Sequence, residues 1–162
     1  MSAASTVSRS GPRRAGAPVL AVVAAFAALA FGSAHAAAMT VYKTATCGCC
    51  ADWVEHVRAA GFEVTVADVS QAELIQRKRE LGIDPRLGSC HTALVGGYIV
   101  EGHVPAADIR RLLAERPPVA GIAVPGMPLG SPGMDYGGRR DPYNVIAFDD
   151  AGGLRIFSRY GQ

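Results

Sequence analysis

Apolar and polar positions alternate from Met39 to Thr44, which predicts a β-strand with one buried face. The period then changes. After Cys47-Gly48-Cys49-Cys50, the residues Trp53, Val54, Val57 and Ala60 recur at helical spacing, and Gly61 marks the stop. Glu63 to Asp68 alternates again and predicts a second strand. Ser70-Gln71-Ala72-Glu73 is a capping box that opens a second helix, with Leu74, Ile75 and Leu81 turned inward and Gly82 at its end. Pro85 to Cys90 reads as a loop. Thr92 to Val95 and Tyr98 to Val100 are short apolar runs joined by Gly96-Gly97, a two-residue hairpin signal. Pro105 starts a third helix with Ile109, Leu112 and Leu113 on one face, and Pro117-Pro118 ends it. From Gly121 to Gly138 no period is visible, and the stretch reads as a loop rich in Gly, Pro and Met. Asn144 to Phe148 and Leu154 to Tyr160 flank Asp149-Asp150-Ala151-Gly152-Gly153 and predict a terminal hairpin.

The order βαβαββα begins with a strand–helix–strand unit, for which a right-handed parallel crossover is the rule. With a Cys-x-x-Cys between the first strand and the first helix, the expected fold is α/β: a thioredoxin-like mixed sheet, extended by the C-terminal Pro/Gly/Met loop and terminal β-hairpin.

Residues 1–36 stand apart. They hold Arg9, Arg13 and Arg14 but no acidic residue, then the uncharged apolar run Val19 to Phe31, then Ala34-His35-Ala36. This is the pattern of a cleaved secretory signal peptide, with an uncleaved N-terminal anchor as the alternative. The expected mature domain is 37–162, exported to the periplasm, by the Sec route rather than the twin-arginine one. That domain carries 13 basic and 14 acidic residues, so it offers no basic surplus to attract nucleic acid or an anionic membrane.

The chemistry concentrates in sulfur. Three of the four cysteines, Cys47, Cys49 and Cys50, fall within four residues, and the fourth is Cys90. Such clustering makes a poor disulfide framework and a good reactive or metal-binding group. At a helix start, unpaired N–H groups and the positive dipole end stabilise thiolates. Thiols beyond one dithiol pair compete as wrong partners in a redox enzyme, whereas a soft metal ion can use them all. The segment facing this motif in thioredoxin-like proteins usually carries a proline; here it is Ser89-Cys90-His91-Thr92. His91 is a ligand or a donor behind the ligands, and His103 can approach from the hairpin end. Met127 and Met134 sit in two Pro-Gly-Met units spaced by seven residues, and thioethers beside thiolates favour Cu(I) over zinc. With few core contacts of its own, that loop is expected to be mobile without metal and to close over the cysteines with it. His56 reads as a solvated helix residue, and Trp53 as a core anchor for the cysteine helix.

Cys-Gly-Cys-Cys-x-x-Trp, Gly-Phe-Glu-Val, Ser-Cys-His-Thr-Ala, Gly-Tyr-x-Val-Glu-Gly-His-Val-Pro and Gly-Met-Pro-x-Gly-Ser-Pro-Gly-Met run in that order from Cys47 to Met134. Together they resemble the bacterial domain-of-unknown-function family 411. The resemblance implies an exported metal-binding protein linked to copper handling or copper resistance, and no defined catalytic reaction. The expected ligand set is Cys47, Cys49, Cys50, Cys90, His91, His103, Met127 and Met134. The expected function is a Cu(I) chaperone or sequestering protein, with other periplasmic copper-handling proteins as partners. Two alternatives remain open: a periplasmic thiol–disulfide oxidoreductase using Cys47 and Cys50, and a structural zinc site.

Overall fold

The computed structural model describes Met1 and residues 37–161. The signal peptide expected over 1–36 lies outside the described residues, apart from Met1. The chain divides into two units, Met1–Ser33 and Ala34–Gln162, and the second holds the fold.

Strand β1 (Ala38–Lys43) leads through α1 (Gly48–Ala59) to β2 (Glu63–Asp68), and α2 (Gln71–Glu80) leads through a 3-10 turn at Pro85–Leu87 to β3 (Thr92–Val95). Then follow β4 (Tyr98–Glu101), α3 (Ala106–Glu115), β5 (Gly121–Ala123), β6 (Tyr143–Phe148) and β7 (Leu154–Tyr160). The seven strands form one sheet in the order β2-β1-β3-β4-β5-β6-β7. β1 pairs parallel with β2 and antiparallel with β3, so the strand–helix–strand unit is a parallel one. β3 and β4 are antiparallel, and β4 and β5 parallel. The last two pairings, β5 with β6 and β6 with β7, are antiparallel. Among the described residues the architecture is therefore mixed α/β, with three α-helices on a seven-stranded mixed sheet.

The local signals act where the sequence puts them. The Ser70 hydroxyl accepts the Glu73 N–H, and the Glu73 carboxylate accepts the Ser70 N–H at 2.8 Å. Gly61, Gly82, Gly96 and Gly97 all take positive φ, as the two helix stops and the hairpin turn require.

Side-chain alternation sorts the core onto two faces. Val41, Ala93, Val95 and Val100 pack with Trp53 and Val57 of α1 and with Ile109 and Leu112 of α3. Leu94, Ile99 and Phe148 point the other way and pack with Leu81, Ile83 and Leu87, from the connection after α2. Burying each such aliphatic side chain contributes about 1.5–3 kcal/mol.

Three expectations need correction. Gly121–Ala123 is a buried strand, not loop. Three residues are too few to show a period, and β5 exists because β4 and β6 supply partners on both sides. Ile75 is 39% exposed rather than turned into the core, because α2 buries only Leu74. The Pro-Gly-Met loop is tied down rather than short of contacts. Gly126 N–H donates to Gly88 O, Gly130 N–H to Met134 O, and Asp141 N–H to Leu129 O; Ser131 and Met134 are buried. Backbone bonds do for this segment what apolar packing does elsewhere.

Candidate metal centre

The centre forms where the start of α1 meets the segment entering β3. Cys47 is the N-cap of α1 and offers no side-chain cap, and no acidic residue occupies the first turn. The positive end of the helix is thus left to sulfur. Cys47 and Cys50 are bridged by a disulfide with Cα atoms 5.3 Å apart, the pairing that the Cys-x-x-Cys spacing allows. Cys49 and Cys90 are free. The Cys49 sulfur lies 3.5 Å from that of Cys47 and 3.9 Å from that of Cys90. All four sulfurs fall within 4.8 Å of one another.

Imidazole closes the other side. His103 Nδ1 donates to the Pro132 carbonyl at 2.8 Å, which leaves Nε2 bare and 2.9 Å from the Cys90 sulfur. His91 Nδ1 lies 3.6 Å from the same sulfur, and its ring packs on Trp53 with centroids 4.4 Å apart. The His91 Nε2 is fully buried and has no hydrogen-bond partner among the described residues. Cys90, His91 and His103 thus form a second group of potential ligands that shares Cys90 with the first.

Burial sets the protonation states. It pushes the Cys90 thiol up to about 12, helped by the neighbouring Cys49. It holds His91 well below the ordinary 6.5, with His103 and Lys78 adding to the effect. It lowers His103 too, against the Pro132 bond. Without metal the centre is a neutral thiol facing neutral imidazoles, so a cation that binds here displaces a proton from sulfur.

The structure separates the two methionines. Met134 is buried, and Met127 is 52% exposed. The loop between them nevertheless reaches the cysteines. A Cβ on Gly133 would stand 2.6 Å from Cys49 O and 2.8 Å from Trp53 N, so only glycine lets this backbone lie on the first turns of α1.

Two features were missed by sequence reasoning. Glu101 is fully buried and accepts from Ser89 N at 2.7 Å, from Thr92 Oγ1 at 2.6 Å and from Lys78 Nζ. It holds the segment that carries Cys90. A glutamate ending the apolar run Tyr98-Ile99-Val100 was the available signal. His56, expected to be solvated, is half-buried and accepts the Ala106 N–H at 3.1 Å. Its partner lies fifty residues on, and no local pattern announces it. Trp53 is the core anchor expected, and its indole N–H donates to Val104 O at 2.9 Å.

Fold and site together define a mixed α/β protein whose cysteines and histidines, from three segments, form a cluster able to hold a metal ion. Residues 87–134 match the model of the family described as "Protein of unknown function, DUF411", a span that includes Cys90, His91, His103 and both loop methionines. Two solved structures named copper resistance protein copG, form 2 and form 1, are similar to the chain at 46% and 45% identity. Each similarity covers 77% of this chain and 98% of the other, with TM-scores of 0.72 and 0.71. The chain belongs to this family. Among curated proteins no match is found.

Proposed function

We propose that this chain is an exported Cu(I)-binding protein of copper homeostasis or resistance, a chaperone or sequestering protein, on a thioredoxin-like fold. One observation carries the reading: four cysteine sulfurs from two facing segments lie within 4.8 Å, with the bare Nε2 of His103 beside Cys90. Thiolate is a soft ligand that suits Cu(I), and neutral imidazole adds to it. The copper resistance proteins that resemble the chain along nearly their whole length support the choice of metal. The four-strand order β2-β1-β3-β4, with the cysteines at the start of α1, supports the fold. Export to the periplasm rests on the pattern of residues 1–36 and gives the cysteines an oxidising compartment.

The test is a Cu(I) competition on reduced protein, wild type against Cys90→Ser. The proposal expects tight binding that the substitution weakens by about 100-fold or more. Full affinity in the variant would refute it. A second reading, a thiol–disulfide oxidoreductase, is favoured by the Cys47–Cys50 bridge at the helix start. It requires that the wild type reduce insulin at thioredoxin-like rates and that Cys90→Ser keep this activity.

A further inference from the structure

Of the three described histidines, only His56 lies outside the groups that could hold a metal. Its Nε2 accepts the Ala106 N–H at 3.1 Å. Ala106 opens α3, whose N-cap is Pro105 and provides no side-chain cap. The bond from His56 therefore supplies an acceptor that the helix's own sequence lacks. Ala106 also lies three residues past His103. α1 holds this segment twice, through Trp53 to Val104 O and through His56 to Ala106 N. Both ties run from the helix bearing Cys49 and Cys50 to the segment bearing His103.

Only an unprotonated Nε2 can accept that bond. Protonation sets a donor against a donor and places positive charge at the positive end of α3. Beside this contact His56 borders a cavity of about 420 Å³, lined also by Asp52 and Glu55 of α1 and by Asp135 and Tyr136 of the C-terminal loop. Arg110 of α3 acts on it as well. Burial lowers the His56 pKa from 6.5, Asp135 works against this, and Arg110 adds to the lowering.

We infer that His56 is a pH-sensitive positioning residue for the metal centre. Neutral, it ties the His103 segment to α1; protonated, it releases Ala106 and turns to the carboxylates of the cavity. Acid thereby loosens the imidazole facing Cys90 without touching any sulfur. The role at the centre rests on the metal-binding reading; the tie itself does not.

The test uses the full chain without metal, followed by NMR between about pH 5 and about pH 8. Wild type is compared with His56→Gln, whose carbonyl oxygen accepts but does not titrate, and with His56→Leu. In wild type the Ala106 amide should follow the His56 titration, with a midpoint below 6.5. Its exchange, corrected for intrinsic rates, should rise about fivefold across that midpoint, the loss of one hydrogen bond. His56→Leu should exchange fast at every pH, and His56→Gln slowly at every pH. A Cu(I) competition on the reduced chains should then show wild-type affinity falling with acid about threefold more than that of His56→Gln. An Ala106 amide that ignores the titration, or one with the same pH profile in wild type and His56→Gln, overturns the inference. If Ala106 titrates but no chain binds Cu(I), the metal reading fails and the role of His56 at a metal centre falls with it.

Discussion

His103 Nε2 lies 2.9 Å from the sulfur of Cys90, because the antiparallel β3–β4 ladder pairs Thr92 with Glu101 and so brings the two flanking residues face to face. The Pro132 carbonyl fixes this geometry by accepting the hydrogen bond that Nδ1–H donates. One backbone oxygen of the C-terminal loop thus decides which imidazole nitrogen faces sulfur, as outer partners do at metal sites. The loop was expected to come to the cysteines with copper. Its backbone already lies against them.

Gly133→Ala tests that contact. The new Cβ would meet Cys49 O and Trp53 N at 2.6 and 2.8 Å, both backbone atoms, at φ +79°. The expected cost is about 1–3 kcal/mol, read by urea unfolding, with weaker Cu(I) binding in the same variant. Wild-type stability and affinity would show that the loop does not rest there.

Glu101→Ala should destabilise by about 3–5 kcal/mol. The substitution takes the carboxylate acceptor from Lys78 Nζ, Thr92 Oγ1 and Ser89 N, and leaves Lys78 Nζ and Thr92 Oγ1 only their bond to each other at 2.8 Å. Urea unfolding measures the loss, and amide exchange at Ser89 should quicken. A loss below about 1 kcal/mol would mean that water replaces the carboxylate at no cost.

Acid should destabilise the metal-free protein. His91 and His103 have folded pKa values below 6.5, with burial as the leading cause. Below 6.5 the unfolded chain binds protons that the folded chain refuses, so stability is full above that pH. It falls as pH drops from 6.5 towards the folded values. The slope is about 1.4 kcal/mol per pH unit for each such group. Urea unfolding at a series of pH values checks this, and a flat profile between about pH 6.5 and about pH 5 would contradict it.

Disulfide state should control copper. The Cys47–Cys50 bridge withholds two sulfurs and leaves Cys49, Cys90 and the histidines. Reduced protein should therefore bind Cu(I) at least about 100-fold more tightly than bridged protein. Equal affinities would place the ion away from the paired cysteines.

Met127→Leu and Met134→Leu should part company. Leucine keeps most of the volume and removes the sulfur. At exposed Met127 stability should not change, so any loss of Cu(I) affinity there reports the thioether directly. Buried Met134 should show a stability change below about 1.5 kcal/mol as well. Unchanged affinity in both would leave the centre to cysteine and histidine alone.

The sequence by itself determined what is written locally. Alternation placed β1 and β2, the capping box opened α2, Gly96-Gly97 turned the hairpin, and the cysteine spacing put three sulfurs at one helix start. Each signal acts within a few residues, so a one-dimensional pattern carries it. It also led to Cys90 and His103 as companions of that cluster, through residue type and family resemblance. Tertiary structure decided the rest. β5 is a strand because β4 and β6 flank it, and Glu101 holds the Cys90 segment because folding buries it beside Lys78 and Ser89. His56 caps a helix that begins fifty residues later. The protonation of the two imidazoles at the centre is decided the same way. Pro132 fixes the tautomer of His103, and burial keeps His91 neutral. Such assignments depend on which distant backbone group arrives within 3 Å and on how much water is expelled, and neither is a property of neighbouring residues.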